Sequence, residues 1–310
     1  MEVEVMQPAM ELVNLYKSIG KKQIIKNLSF SIYPGEVFGF LGPNGAGKTT
    51  TIRMMVGLMK ITSGDVKING TSVKNDFKGA IQHVGAIVEN PEMYPFMNGW
   101  KNLKHYARMM NGITDERIRE VVSLVGLEKA MKEKVGKYSL GMRQRMGIAQ
   151  ALLHRPSVLI LDEPTNGLDP AGIREIRQYI RRLAEQEQVA VIVSSHLLSE
   201  IELMCDRISI IKNGELVTVE EVQNSTEKDE RVEVWLEVEP VDKAKAVIEK
   251  HHELEVVVHH DKLSMSVTKE TIPEIVKGLV QDQVNVYEVT TKSSSLEDKF
   301  FDVIGENTIA

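Results

Sequence analysis

Apolar residues in the first two thirds of the chain alternate between short continuous runs and longer stretches of helical spacing. Continuous runs at residues 37–41, 157–161 and 189–194 are typical of strands that are buried on both faces. Helical spacing at residues 49–59 and 171–186 separates these runs. The alternation predicts an α/β fold in which helices cover both sides of a mostly parallel sheet.

Two further patterns interrupt this alternation. Residues 12–16 and 25–32 alternate like strands on either side of a glycine turn, which predicts an antiparallel β subdomain. Between residues 95 and 153, apolar residues recur at intervals of three and four, with gaps at Asn111-Gly112 and at Gly126. This second pattern predicts a helical subdomain that is inserted into the α/β unit.

The pattern changes again after residue 222. Residues 223–230 are polar and have no periodicity, so we predict a linker there. Beyond it, alternating apolar residues and two helical stretches follow the order βαββαβ, which is typical of a ferredoxin-like α+β domain. The predicted organisation is a main domain over residues 1–222 and a small accessory domain over residues 231–310.

Composition limits the size, compartment and partners of the protein. At 310 residues and 42% hydrophobic content, the chain can form two cores of ordinary domain size. The net charge of −6 offers no basic footprint, so no nucleic acid partner is expected. The single cysteine, Cys205, excludes an internal disulfide and suits a reducing compartment. Without a signal peptide or an apolar run of roughly 20 residues, we expect a cytoplasmic chain that reaches a membrane only through a partner.

A glycine-rich segment after the first buried run carries the clearest chemistry. Its glycines allow positive φ, so that backbone N–H groups and the next helix N-terminus can surround a phosphate. Lys48 is predicted to reach the β- and γ-phosphates, and the Thr49 hydroxyl to ligate Mg²⁺. A glycine-rich turn without a ligand is the alternative, but the strand–loop–helix context favours a nucleotide site. The segment reads Gly42-Pro43-Asn44-Gly45-Ala46-Gly47-Lys48-Thr49-Thr50.

Polar residues also follow the other two buried runs. Asp162 is predicted to hold Mg²⁺ opposite Thr49, and Glu163 to orient or deprotonate an attacking water. His196 follows the third run and is predicted to contact a γ-phosphate. Each residue alone could equally be an incidental polar group at a strand end, and the prediction depends on their occurring together.

Residues 9–217 resemble the ATP-binding-cassette (ABC) ATPases and carry six of the family's motifs in the family's order. The resemblance implies a P-loop NTPase fold of the ABC cassette type, which binds and hydrolyses ATP with Mg²⁺. The motifs are Walker A at 42–50, the Q-loop position at 84–89 with Tyr94-Pro95, the signature position at 138–145, Walker B at 158–163, the D-loop at 166–169 and the switch histidine at His196.

The signature segment suggests a second anion site. Ser139 is a good helix N-cap, and its hydroxyl, Gly141 and the helix N-terminus could together bind a phosphate. An ordinary capped amphipathic helix explains the same residues. The resemblance implies that Ser139, Gly141 and Asp169 meet the ATP of a second copy, so that two ATP molecules lie within a head-to-tail dimer.

Three positions depart from the family pattern. Glu89 stands where the family usually has Gln, which makes its carboxylate a candidate both for catalysis and for metal binding. The signature segment keeps only one glycine of the usual pair, and Ile19 falls where an aromatic residue usually stacks on adenine. The first two departures resemble the bacitracin-type exporter branch, which includes lantibiotic-immunity ATPases.

The leading hypothesis is the ATPase subunit of an exporter of peptide antibiotics or drugs. Its expected partners are a second copy of itself and a separate polytopic permease, which would hold it on the inner face of the cell membrane. Tyr94, Pro95 and Trp100 are the candidate contacts for that permease. The alternatives are a soluble ABC ATPase that acts on the ribosome or on DNA, and a regulatory ATPase whose C-terminal domain senses a ligand.

Overall fold

The computed structural model describes residues 6–195, 198–222, 231–252, 254–259 and 262–292. The chain divides into two compact units, with the boundary between Val222 and Gln223. The predicted linker, residues 223–230, lies outside the described residues. In the part of the chain that the structure describes, no helix is long and apolar enough to cross a membrane.

The first unit contains two β-sheets and a set of helices. Its strands are, in chain order, β1 (Met10–Ile19), β2 (Lys22–Ile32), β3 (Val37–Leu41), β4 (Ser63–Ile68), β5 (Thr71–Ser72), β6 (Val84–Ile87), β7 (Val158–Asp162), β8 (Ala190–Ser194), β9 (Arg207–Lys212) and β10 (Glu215–Glu221). Its α-helices are α1 (Lys48–Met55), α2 (Phe77–Ile81), α3 (Gly99–Ala107), α4 (Asp115–Leu124), α5 (Leu140–Ala151), α6 (Pro170–Glu187) and α7 (Leu198–Glu202).

The larger sheet has the strand order β10-β9-β3-β8-β7-β6. All its neighbouring pairs run parallel except β9 and β10, so the predicted mostly parallel sheet is confirmed. Every residue of β3, β7 and β8 is buried, which explains their continuous apolar runs. Ser194 of β8 pairs with Phe40 of β3 and with Asp162 of β7, so the three carboxyl ends meet at one edge of the sheet.

The apolar pattern of the sequence does not predict strand β10 or helix α2 of the first unit. β10 follows a tight turn at Asn213 and Gly214, both with positive φ, and it forms the edge of the sheet. Its residues are mostly half-buried and several are charged, so no apolar run marks it. Helix α2 has only five residues, and its N-cap, Asp76, accepts a hydrogen bond from the Gly79 N–H. Such a short helix has no measurable period.

The smaller sheet is antiparallel, with the strand order β2-β1-β4-β5, and it forms the predicted β subdomain. β1 is longer than predicted because a register irregularity at Asn14, with φ of 44°, lets it continue to Ile19. Gly64 lies opposite this irregularity, where an added Cβ would stand 2.0 Å from the Asn14 carbonyl oxygen. Only glycine therefore fits there.

The predicted helical subdomain contains α3, α4 and α5, with two 3₁₀ helices, Glu128–Ala130 and Val135–Lys137, between the last two. Each α-helix begins at a side-chain N-cap that accepts a backbone N–H three residues on, which is why α3 starts at Gly99 and not near residue 95. Their apolar faces are buried. The three caps are Asn98, Thr114 and Ser139.

The second unit has the predicted βαββαβ order. Its sheet is antiparallel, with the order β12-β13-β11-β14, as in a split βαβ fold. β12 has only three residues, because residues 254–256 do not pair with β13, although Val256 is buried. The elements are β11 (Arg231–Glu239), α8 (Val241–His252), β12 (Val257–His259), β13 (Lys262–Thr268), α9 (Ile272–Gln281) and β14 (Asn285–Lys292).

Candidate nucleotide-binding site

The glycine-rich loop joins the buried strand β3 to α1, as predicted. Gly45 and Gly47 have φ of 78° and 112°, and nothing lies within 4 Å of a Cβ added at Gly45, so this residue faces open space. Gly42 is required for packing instead, because an added Cβ would stand 2.4 Å from the Ile211 carbonyl oxygen. The Ala46 N–H donates to Pro43, which closes the loop on itself. Its backbone can therefore approach a ligand closely.

Lys48, the first residue of α1, lies across this loop. Its Nζ donates to the carbonyl oxygens of Gly42, at 2.6 Å, and Pro43, at 3.4 Å, and the residue is 8% exposed. Burial lowers the pKa of Lys48, while the charges of Glu163 and Asp162 act in the opposite direction. The ammonium group is thus placed between the loop and the acids, where it can meet phosphate oxygens.

The two acids at the end of β7 are organised by Ser194 of β8. The Ser194 hydroxyl donates to Asp162 Oδ1 at 2.5 Å and accepts the Glu163 N–H at 3.0 Å. Asp162 is 8% exposed and Ser194 is fully buried. The backbone of Glu163 has φ of 49°, which turns the chain out of the strand direction. Sequence reasoning missed Ser194, although its place at the end of the neighbouring buried run was a usable signal.

Glu89 is not free to act on a metal in this structure. Its carboxylate Oε1 lies 2.5 Å from Nη2 of Arg53, which belongs to the last turn of α1. Glu89 follows β6 with φ of 72°. Sequence reasoning missed Arg53, whose only signal was its position four residues after Thr49 on the same helix.

The predicted Mg²⁺ ligands form a sparse set. Among the described residues, no group of three or more His, Cys, Asp or Glu side chains could hold a metal ion. Thr49, at the start of α1, and Asp162, on β7, would supply one hydroxyl and one carboxylate. Such a set fits Mg²⁺, which takes few protein oxygens and completes its shell with phosphates and water. Glu89 does not fit as a ligand while it is paired with Arg53.

The signature and D-loop segments contact each other. Ser139 caps α5, and its hydroxyl accepts the Met142 N–H at 3.2 Å, while Asp169 caps α6 and accepts the Gly172 N–H at 2.9 Å. A Cβ added at Gly141 would stand 3.8 Å from Leu168, so the space beside it is open. The predicted cap at Ser139 is confirmed. The predicted contacts of these residues with an ATP molecule remain a prediction, and His196 lies outside the described residues.

An apolar groove of about 500 Å³ lies between the sheet edge at β6 and the helical subdomain. Leu58 on its wall is 71% exposed, and the hydroxyl of Tyr106 donates to the Glu92 carbonyl oxygen. Tyr94 is exposed on the following loop, whereas Trp100 stacks against the Arg119 guanidinium. The groove lining includes Val56, Leu58, Ile87, Pro91, Tyr106 and Gly147.

Comparisons with known proteins agree with this geometry. Residues 25–166 match the family model described as ABC transporter. The chain is 52% identical to the ABC transporter ATP-binding protein YhcH of Bacillus subtilis, with 97% of each chain covered. It is 40% identical to the bacitracin transport ATP-binding protein BcrA of Bacillus licheniformis, covering 98% of this chain and 100% of BcrA.

A solved structure supports the same assignment. The dimeric ATP-binding cassette MJ0796, in a post-hydrolysis state bound to ADP and Pi, superposes with a TM-score of 0.61 and 25% identity. It covers 69% of this chain and 99% of its own. With the phosphate loop and the acids of β7 at one edge of the sheet, the chain belongs to the ABC transporter family, in the branch of the bacitracin- and lantibiotic-type relatives, as an ATP-binding subunit with ATPase activity.

Proposed function

We propose that two copies of this chain close head to tail over two ATP molecules with Mg²⁺ and so drive a separate polytopic permease. The observation that carries this proposal is the position of Glu163, which directly follows Asp162 and whose N–H donates to the Ser194 hydroxyl at 3.0 Å, with a φ of 49° that turns the chain out of β7. A base at this point can take a proton from a water that attacks the γ-phosphate.

Different residues of the chain are proposed to bind the phosphates, the Mg²⁺ ion and the second ATP. The loop N–H groups and Lys48 bind phosphate oxygens, and Thr49 with Asp162 would hold Mg²⁺, which neutralises the developing phosphoryl charge. Ser139, Gly141 and Asp169 would contact the ATP held by the second copy. These residues belong to segments whose hydrogen bonds run to their own helices, α5 and α6. In the proposed dimer, the second copy would complete each site.

The first test is Glu163→Gln in the full chain. The amide keeps the shape of the side chain but cannot accept a proton, so we expect ATPase activity to fall by about 100-fold or more. ATP binding should persist, and a dimer that holds ATP should accumulate in size-exclusion chromatography. Glu128→Gln, at an exposed position of the helical subdomain, is the matched control. Undiminished hydrolysis by Glu163→Gln is the result that contradicts the proposal.

The permease is proposed to insert a helix into the apolar groove beside β6. The support is the exposed apolar wall at Leu58 and the neighbouring aromatic loop at Tyr94. Such a contact would hold the chain on the inner face of the cell membrane. Co-purification of the native chain with a polytopic membrane protein, lost in Leu58→Asp, tests this contact. A chain recovered with ribosomes or DNA instead would favour the soluble alternative.

The exported substrate is proposed to be a peptide antibiotic or a drug, because BcrA is named for bacitracin transport. Deleting the gene should lower the concentration of bacitracin that inhibits growth, and the wild-type gene should restore it. Restoration by the Glu163→Gln variant would separate any resistance from ATP hydrolysis and count against export.

A further inference from the structure

We propose that Arg53 is a positioning residue for Glu89 and cancels the negative charge that this chain has in place of the family's neutral amide. The inference rests on the proposed ATP site, beside which the family resemblance places Glu89 at the Q-loop position. It concerns a residue that no motif of the family resemblance includes. The contact that carries it is the 2.5 Å ion pair between Arg53 Nη2 and Glu89 Oε1.

The pair is attached to the helix that begins at the phosphate-binding loop. Arg53 follows Thr49 by four residues on α1, so the two side chains lie on the same helix face with Cβ atoms roughly 5–6 Å apart. Through Arg53, Glu89 is therefore tied to the helix that carries the predicted Mg²⁺ ligand.

Folding alone does not explain the pair. The Arg53 side chain is 40% exposed and that of Glu89 is 62% exposed, and ion pairs that exposed contribute little to folding stability. Its consequence is electrostatic. Glu89 alone would repel the triphosphate and attract the metal, whereas the paired carboxylate leaves the loop close to neutral.

The backbone supports the same role. Glu89 has φ of 72°, a conformation that non-glycine residues seldom adopt, so the loop after β6 is turned in a defined direction. The Arg53 contact ties this turned loop to the helix that begins at the phosphate-binding segment. Arg53 thereby links the position of Glu89 to α1.

The test is a double-mutant cycle in the full chain, read by calorimetric ATP binding with EDTA and again with Mg²⁺. Arg53→Met should weaken Mg²⁺-free ATP binding by about two- to fivefold, the range expected for one exposed charge pair. The same variant should need less Mg²⁺ for half-maximal ATP hydrolysis. Arg53→Lys should behave like the wild type, because the charge is kept.

The second half of the cycle tests whether Arg53 affects ATP binding through the Glu89 carboxylate. In the Glu89→Gln background, Arg53→Met should have no effect on Mg²⁺-free binding, since the carboxylate is gone. Arg155→Met is the matched control, because Arg155 forms a similarly exposed 2.7 Å pair with Glu120 in the same unit.

Two results would overturn the inference. One is unchanged Mg²⁺-free binding in Arg53→Met, and the other is an equal loss of binding in both backgrounds, which would mean that Arg53 contacts the phosphates directly. The Glu163→Gln experiment tests the catalytic proposal separately. An active Glu163→Gln chain with a positive cycle would reject that proposal and keep the Arg53 pair.

Discussion

At the scale of single residues, the site depends on side chains whose chemistry is set by one or two neighbours. Lys48 is buried against the loop carbonyls, and Asp162 accepts a hydrogen bond from a serine of the next strand in the sheet. Cys205, by contrast, is buried and inert, because burial raises the pKa of its thiol.

Ser194 provides the residue-scale prediction. In Ser194→Ala, Asp162 loses its hydroxyl donor, and the Glu163 N–H loses the hydroxyl acceptor but keeps the Ser194 carbonyl oxygen, at 3.2 Å. A hydrogen bond to a charged group contributes about 1.5–3 kcal/mol, so we expect kcat to fall roughly tenfold or more. Steady-state ATPase assays measure this change.

Ser209→Ala is the control for that variant. Ser209 is equally buried, on β9 of the same sheet, and its hydroxyl donates to the Gly39 carbonyl oxygen. If both variants lose activity equally, the effect is general destabilisation and Ser194 does not orient the acids.

At the scale of elements, one buried asparagine shapes the loop that enters the helical subdomain. The Asn102 side chain, on α3, accepts the Tyr94 N–H at 2.9 Å and donates to the carbonyl oxygens of Tyr94 and Asn98, each at 3.1 Å. It is fully buried. The loop of residues 94–98 thus has a fixed shape beside the apolar groove.

Asn102→Ala should leave the Tyr94 N–H without its acceptor and cost about 1–3 kcal/mol, while the carbonyl oxygens of Tyr94 and Asn98 keep the N–H donors of Met97 and Asn102. We expect a lower unfolding temperature and weaker association with the permease, while ATP binding by the loop at Lys48 persists. Differential scanning calorimetry and co-purification measure the two effects. Asn98→Ala, which removes only an N-cap of α3, should cost less, about 1 kcal/mol.

At the scale of the whole molecule, the chain consists of two units with separate cores. The second unit packs Leu236, Ile248 and Leu279 in a core of its own. Leu236→Ala in this core should cost about 2–5 kcal/mol and lower the unfolding transition of the second unit.

ATP binding by the first unit should survive that substitution, because no residue of the nucleotide site belongs to the second unit. Calorimetry with and without ATP distinguishes the two unfolding transitions, because ATP should raise the unfolding temperature of the first unit only. A single transition that shifts as a whole in Leu236→Ala would show that the units unfold together.

Periodicity and spacing alone predicted most of the architecture. Continuous apolar runs identified β3, β7 and β8, because strands that are buried on both faces have no polar alternation. Periodicity did not predict β10 or α2, because a half-exposed edge strand and a five-residue helix have too few apolar positions to define a period. Helix α1 ends at Met55, four residues before its predicted end, because Gly57 turns the chain with φ of 70°.

The amino-acid sequence by itself determined the kind of site, because the loop at Lys48 and the acids at Asp162 and Glu163 depend on local strand–loop–helix chemistry. Only the tertiary structure decided which side chains control those groups. Ser194 reaches Asp162 across 32 positions of the chain, and Arg53 reaches Glu89 across 36. Strand register and helix placement bring such pairs together, and neither can be predicted from the residues next to the motif.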